Sequence, residues 1–201
     1  MPRPTLALIH TSATNIPVFA PLCKLHLPHV DTFNIVDDSL VRIIGAKGSL
    51  TADIARRVGG YITSAVEASA AFCSVPVLRV DQPMADLAVQ TGRRIGVIAT
   101  LPTTLNPTSD LVRRRAELAG KTIELTSRLC EGAFEALMAG DTATHDTKVA
   151  TALRELSTQV DVIVLAQASM ARVVDTLAPA DRRIPILASP PLAIQHLATL
   201  L

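Results

Sequence analysis

The chain has 201 residues, enough for one compact domain or two small lobes with a real core. It is 49% apolar but only 2% aromatic, and its formal net charge is +1. Scattered charge predicts neither nucleic acid nor an anionic membrane as partner, and the shortage of rings removes the surfaces on which bases stack.

An aliphatic composition of this kind suits buried parallel strands covered by helices. In chain order, short β-branched or aliphatic runs predict strands at residues 5–11, 32–36, 75–80, 94–100, 121–127, 160–166 and 184–188. Apolar residues at helical spacing predict helices at 83–89, 109–119, 131–139, 145–159, 169–177 and 191–201. Ser109-Asp-Leu-Val has the pattern of a helix start and Gly120 that of a stop. Residues 50–72 admit two readings. Ile54, Val58, Ile62 and Val66 are spaced by four, as in one long helix, although Gly59 and Gly60 each cost roughly 1 kcal/mol against Ala. The alternative is a helix ending at Gly59, a stunted strand at 61–64 and a second helix at 65–72. Strand alternating with helix implies a doubly wound parallel sheet, whose ligands bind beyond the carboxyl ends of the strands.

No apolar run reaches the roughly 18–20 residues that span a bilayer, so no membrane partner is expected. The start, Met1-Pro-Arg-Pro, leads into a strand without a signal-peptide core. Cys23, Cys73 and Cys130 have no metal-type spacing. Together these features predict a reduced, cytoplasmic protein with no disulfide framework and no metal site.

The chain also repeats itself. Thr5-Leu-Ala-Leu-Ile-His-Thr-Ser-Ala-Thr-Asn15 matches Arg94-Ile-Gly-Val-Ile-Ala-Thr-Leu-Pro-Thr-Thr104, and Val75-Pro-Val-Leu78 matches Ile184-Pro-Ile-Leu187. Phe33 to Val75 spans 42 residues, whereas Ile123 to Ile184 spans 61. The first half is therefore short by about 19 residues, the length of the strand at 160–166 with its loop.

The strand ends gather hydroxyls and amides: His10, Thr11, Ser12, Thr14 and Asn15 in one half, Thr100, Thr103 and Thr104 in the other. Hydroxyls beside free N–H groups at a helix start would hold a carboxylate; the same residues also serve as turn and capping residues. His10 reads as a structural histidine or as a base titrating near neutrality. His26 and His29 read as surface loop and His145-Asp146 as a helix start, while Asp81 reads as a cap for the helix at 83 or as a site residue.

The motifs Asn34-Ile-Val-Asp-Asp-Ser-Leu40, Val75-Pro-Val-Leu-Arg-Val-Asp-Gln-Pro-Met84, Ile95-Gly-Val-Ile-Ala-Thr-Leu-Pro-Thr-Thr104, Glu131-Gly-Ala-Phe-Glu-Ala-Leu137 and Asp161-Val-Ile-Val-Leu-Ala-Gln-Ala-Ser-Met170 resemble the aspartate/glutamate racemase superfamily, with its hydantoin racemases, maleate isomerases and arylmalonate decarboxylases. The resemblance implies an α/β fold of two similar Rossmann-like lobes with parallel sheets, related by a pseudo-twofold axis, with the ligand site at their seam. On that plan residues 1–92 with the helix at 191–201 form the first lobe, short of one strand-loop unit, and 93–190 form the second. It also implies proton transfer on a small carboxylic or amino acid without a cofactor, in a chain that forms homo-oligomers. His10, Asn15, Thr100, Thr103, Thr104, Gln167 and Ser169 are the expected ligand-binding residues.

The family's reaction uses two cysteines, one from each half, on opposite faces of the reacting carbon, with donors stabilising an enediolate-like transition state. Gln167 occupies the second cysteine's place, and an amide is no base near neutral pH. The first cysteine belongs in the shortened interval. Cys73 replaces it if residues 70–74 form a strand, and is a structural cysteine if the strand begins at Val75. Racemisation, isomerisation and decarboxylation are the expected activities; the alternative is a racemase-like protein that binds a small carboxylate without turnover.

Overall fold

Every strand pairing among the described residues is parallel, and helices fill the intervals, so the chain is α/β. The computed structural model describes residues 3–47, 51–68 and 76–201. The chain divides into Met1–Arg79 with Ile194–Leu201, and Val80–Ala193. No helix among the described residues is long and apolar enough to cross a membrane.

In the first unit β1 (Thr5–His10) leads through a 3-10 turn into α1 (Ile16–His26). The chain then returns as β2 (Asp31–Val36), paired with β1 from Thr5 against Asp31 to His10 against Val36. Two helices follow, α2 (Ser39–Lys47) and α3 (Ala52–Ala68). The ambiguous stretch is therefore one helix up to Ala68, running through Gly59 and Gly60. Ile54 and Ala65 on it are buried and Val58 and Ile62 half-buried, so one packed face outweighs the weak propensity of two glycines. Phe19, Cys23, Leu27 and Val30 form the core with Ile194 from the far end of the chain.

The expected strand at 75–80 does not form in its described part. Residues 76–79 belong to no sheet, Val80 begins a turn, and Val77 is 66% exposed. The reason is the short half itself. The matching stretch in the second half pairs with a neighbouring strand, but no counterpart of that neighbour exists among the described residues. Pro76 also lacks an N–H to contribute.

The second unit opens with α4 (Gln82–Thr91), where Asp81 holds the N-cap position and its carbonyl accepts from the Ala85 N–H. Next come β3 (Arg94–Ala99), α5 (Pro102–Leu118), β4 (Glu124–Leu129), α6 (Ala133–Met138) and α7 (Thr142–Ser157). β5 (Val162–Leu165), α8 (Ala171–Thr176), β6 (Ile186–Ala188) and α9 (Ser189–Leu197) complete the order. The sheet runs β4-β3-β5-β6.

β3 is buried from Ile95 to Ala99. Ile95, Val97 and Ala99 face a cluster with Met84, Ala85 and Val112, while Ile98 joins Leu153 and Leu156 of α7 on the other side. Gly96 shares the α7 side. A Cβ there would lie 2.7 Å from Leu156 Cδ2 and 3.0 Å from its Cγ, so a bare backbone is what lets α7 close on the sheet.

Several boundaries differ from expectation. α5 begins at Pro102, not at residue 109, because proline suits the first helical turn and Leu105, Leu111, Val112 and Ala116 give the helix a buried face. Pro107 inside it removes one N–H, which packing of that face offsets. β4 starts only at Glu124. Gly120, at φ 65°, and the bond from Lys121 N–H to the Ala116 carbonyl finish the preceding helix first. α7 begins before His145, capped by Asp141, whose side chain accepts from the Thr144 N–H. His145 is fully buried in its first turns, with Nδ1 2.7 Å from Asp146 and Nε2 without a partner among the described residues.

Asp161 binds the amino ends of β3 and β5 together. Its Oδ2 accepts from the N–H groups of Arg93 (3.1 Å) and Arg94 (2.8 Å), and its Oδ1 from Arg94 Nε (3.0 Å) and Nη2 (2.6 Å). These donors hold the Asp161 carboxyl below its usual range.

Gly96→Val is expected to destabilise the protein by roughly 1–3 kcal/mol through overpacking against Leu156, read as a lower denaturation midpoint in urea. Asp161 gives a pH signature. A carboxyl whose folded pKa lies below its unfolded value of about 4 stabilises the fold above that pH, and the contribution disappears as pH falls through the folded pKa. Asp161→Asn should therefore lower stability at pH 7 and flatten its decline below about pH 4, as measured by denaturant titration across pH.

Candidate functional site

In the second unit the polar residues collect where the parallel strands end. β3 delivers Thr100, which is buried, and the chain then enters α5 through Leu101 and Pro102. Leu101 offers no side-chain cap; Pro102 has no N–H and the Thr104 and Leu105 N–H groups bond the Leu101 carbonyl, so among the described residues the spare backbone donor of the first turn is the Thr103 N–H. The Thr103 hydroxyl, half-buried, makes no hydrogen bond among the described residues. The Thr104 hydroxyl instead donates to the Leu101 carbonyl at 3.0 Å. Its proton is committed to the helix start.

β5 delivers Gln167. The Gln167 side-chain carbonyl accepts two hydrogen bonds from one residue: Thr100 N–H at 2.6 Å and Thr100 Oγ1 at 2.8 Å. A backbone N–H can only donate, so the atom facing it is the amide oxygen and the NH₂ is the outer end. Ser169 follows in the 3-10 turn Ala168–Met170, exposed and without a side-chain partner among the described residues. Thr100, Thr103, Gln167 and Ser169 thus stand at the carboxyl end of one sheet. With Thr100 and Thr104 occupied inside the protein, the remaining side-chain donors are Gln167 Nε2 and the hydroxyls of Thr103 and Ser169.

In the first unit His10 ends β1 and is buried. Its Nε2 lies 2.9 Å from Asn34 Oδ1, and its ring packs on Phe19 with centroids 5.5 Å apart. Asn15 closes the turn Ala13–Asn15, half-buried, and caps nothing with its side chain. Ser12 accepts from the Thr14 N–H, and Asp38 accepts from the Ala13 N–H at 2.7 Å.

One polar centre escaped the reading of the sequence. Asp37, 8% exposed, follows β2 and accepts from the Ser39 N–H (3.1 Å), Ser39 Oγ (2.6 Å) and Tyr61 OH (2.5 Å), with Arg57 Nη2 at 2.8 Å. The Ser39 and Tyr61 hydroxyls, with the Arg57 charge, hold its carboxyl below the usual range. Asp two residues before Ser at a strand end is a turn signal that could have found the local half of this cluster. The other half arrives on α3 and has no local trace. With four donors engaged, Asp37 ties α3 to the end of β2.

The thiols divide in the same way. Cys73 lies outside the described residues. Cys23 and Cys130 are buried in the cores of their units, and burial pushes both thiols up, Cys130 to about 11 despite the charge of Arg128. Neither is a thiolate near neutrality. Among the described residues no cluster of His, Cys, Asp and Glu could hold a metal ion. A cleft of about 270 Å³ at the carboxyl end of β4 is lined by Arg128, Cys130, Glu131, Lys148 and Glu155, but Cys130 is only 4% exposed, Arg128 pairs with Glu155 and Lys148 donates to the Glu131 carbonyl.

Iodoacetamide at pH 7.5 is expected to leave Cys23 and Cys130 unmodified in the native protein and to label both in denaturant, read by peptide mass. Labelling of native Cys130 would contradict its burial.

The family model of Asp/Glu/hydantoin racemases matches residues 59–197. No curated protein matches the sequence. Among solved structures, glutamate racemase from Bacillus anthracis superposes with a TM-score of 0.68 at 16% identity, covering 98% of this chain and 81% of that one. Glutamate racemase from Francisella tularensis, solved with D-glutamate, gives 0.67 at 15% identity, covering 99% and 81%. The aspartate racemase of Picrophilus torridus gives 0.65 at 12% identity, covering 98% and 94%. At such identities the structural likeness is one of fold. The family match covers well over half the sequence, and the parallel α/β fold is shared with these racemases: the chain belongs to the Asp/Glu/hydantoin racemase family.

Proposed function

We propose that this protein binds a small carboxylic or amino acid at the carboxyl end of the Val80–Ala193 sheet and, without a cofactor, moves a proton on it from one side only. The single observation behind this reading is Gln167. It stands where the family resemblance places the second thiol, and its carbonyl is engaged by Thr100. What it offers a ligand is an NH₂ group, a donor and not a base. The Thr103 hydroxyl is a second donor. Such donors hold a carboxylate and stabilise the negative charge that develops on it when the neighbouring carbon loses a proton. The Francisella relative was solved with D-glutamate, which supports a ligand of this class.

Two-base racemisation needs an acid and a base on opposite faces of the carbon. With Gln167 on one side, the proton is left to a single acid/base group on the other, for which Cys73 is the thiol the sequence offers, and isomerisation or decarboxylation-type chemistry fits better. A second reading is favoured by the burial of Cys23 and Cys130, which pushes both thiols up and poises neither as a base: the ligand is held and never turned over. The two described free thiols also fit a reducing, cytoplasmic setting.

The test is incubation in D₂O with D- and L-glutamate, D- and L-aspartate and maleate. Deuterium uptake is followed by NMR and enantiomer composition by chiral chromatography. Deuterium uptake, or isomerisation of maleate, without interconversion of enantiomers is the expected result. Interconversion would overturn one-sided transfer. A thermal shift with no exchange and no conversion would establish the binding protein.

A further inference from the structure

We infer that Thr100 is a positioning residue: by pinning the carbonyl of Gln167 it turns the Gln167 amide into a fixed two-hydrogen donor. This rests on the reading of the carboxyl end of the Val80–Ala193 sheet as a ligand site. A glutamine at a strand end has three rotatable side-chain bonds and two chemically opposite ends that are nearly the same shape. Left free, it presents acceptor or donor as the ligand requires. Here both freedoms are removed. Thr100 N–H and Oγ1–H converge on Oε1 at 2.6 and 2.8 Å, filling both lone pairs of that oxygen. Turning the amide over would set NH₂ against the backbone N–H, donor against donor. The site therefore reads an oxygen acceptor and discriminates against a ligand group that is itself only a donor.

The geometry is built in by the sheet. Ile98 pairs with Leu165 in the parallel register of β3 and β5, and two residues further along each chain stand Thr100 and Gln167. The bond from Ala166 N–H to the Ile98 carbonyl, 2.9 Å, carries the pairing one step past the strand end. Thr100 is 5% exposed, so it is held by the protein and free of competition from bulk water. A buried, doubly donating residue without a remaining proton suits an orienting role. It has nothing left to donate to a ligand.

The experiment is side-chain amide relaxation on uniformly ¹⁵N-labelled protein, with the Gln167 signal assigned by its loss in Gln167→Leu. In the wild type the Gln167 amide should be as rigid as the backbone, with an order parameter of about 0.85, while exposed Gln90 and Gln195 fall below about 0.6. Thr100→Ser keeps both donors and should preserve that rigidity, whereas Thr100→Val keeps the shape but loses the hydroxyl and should lower it. A Gln167 amide as mobile as Gln90 in the wild type overturns the inference even if the valine variant fails to fold. So does an amide unchanged in a folded Thr100→Val.

Titration with D-glutamate, L-aspartate and maleate then separates this inference from the function on which it rests. A rigid amide shifted by one of these probes supports both, and Thr100→Val should weaken that probe's binding about tenfold while Thr100→Ser stays within about twofold, roughly the value of one charge-assisted hydrogen bond. A rigid amide that none of them shifts leaves the positioning role standing and overturns the carboxylate site.

Discussion

The parallel register of β3 against β5 is the constraint on which the second unit depends. Ile95 lies beside Val162 and Ile98 beside Leu165, an offset of 67 residues maintained along the pair. The same offset sets Arg94 against Asp161 at one end and Thr100 against Gln167 at the other. One end is a charged clamp and the other a neutral polar pair. A slip of one residue would turn every buried side chain of β5 to the opposite face, so the apolar packing enforces the alignment at both ends. Gly96 completes the arrangement by letting α7 come down on the strand whose end carries Thr100.

Much of this was legible. Four described strands in the second unit lie within a few residues of their expected places, because β-branched runs ending in small polar residues are a strong local signal. So was Gln167, which stands out because a resemblance sets an expectation there. Its partner was not legible. Thr100 and Gln167 are far apart in sequence, and nothing local in either says that one spends its donors on the other. Asp37 and Tyr61 were missed for the same reason. Thr103 and Thr104 read as loop, yet they lie in the first turn of α5. Proline at 102 starts a helix and proline at 107 argues against one, and tertiary burial of Leu111 and Val112 decides between them.

The unequal halves have a physical counterpart in burial. In the second unit β3 has a strand on both sides and is buried from Ile95 onward. In the first, the matching β1 has only β2 beside it among the described residues, and Leu6 to Ile9 are half-buried. The shortfall of residues read from the sequence thus coincides with a thinner sheet. It also coincides with the failure of residues 76–79 to join one.

The core of the first unit draws on both extremes of the chain. Phe19, Cys23 and Leu27 close around Ile194, with Leu197 packed against them. The second unit is continuous from Val80 to Ala193 and needs nothing outside that span for its own sheet. On a ribosome the first unit therefore gains little from being made first, because the Ile194 that its core needs follows every strand of the second unit. The second unit has all its strands before Ile194 is made, while the first waits for the last turn of α9 to finish its core. A contact of such long sequence separation is slow to close, so the apolar face of α1 stays incompletely covered until the end of α9 has been made.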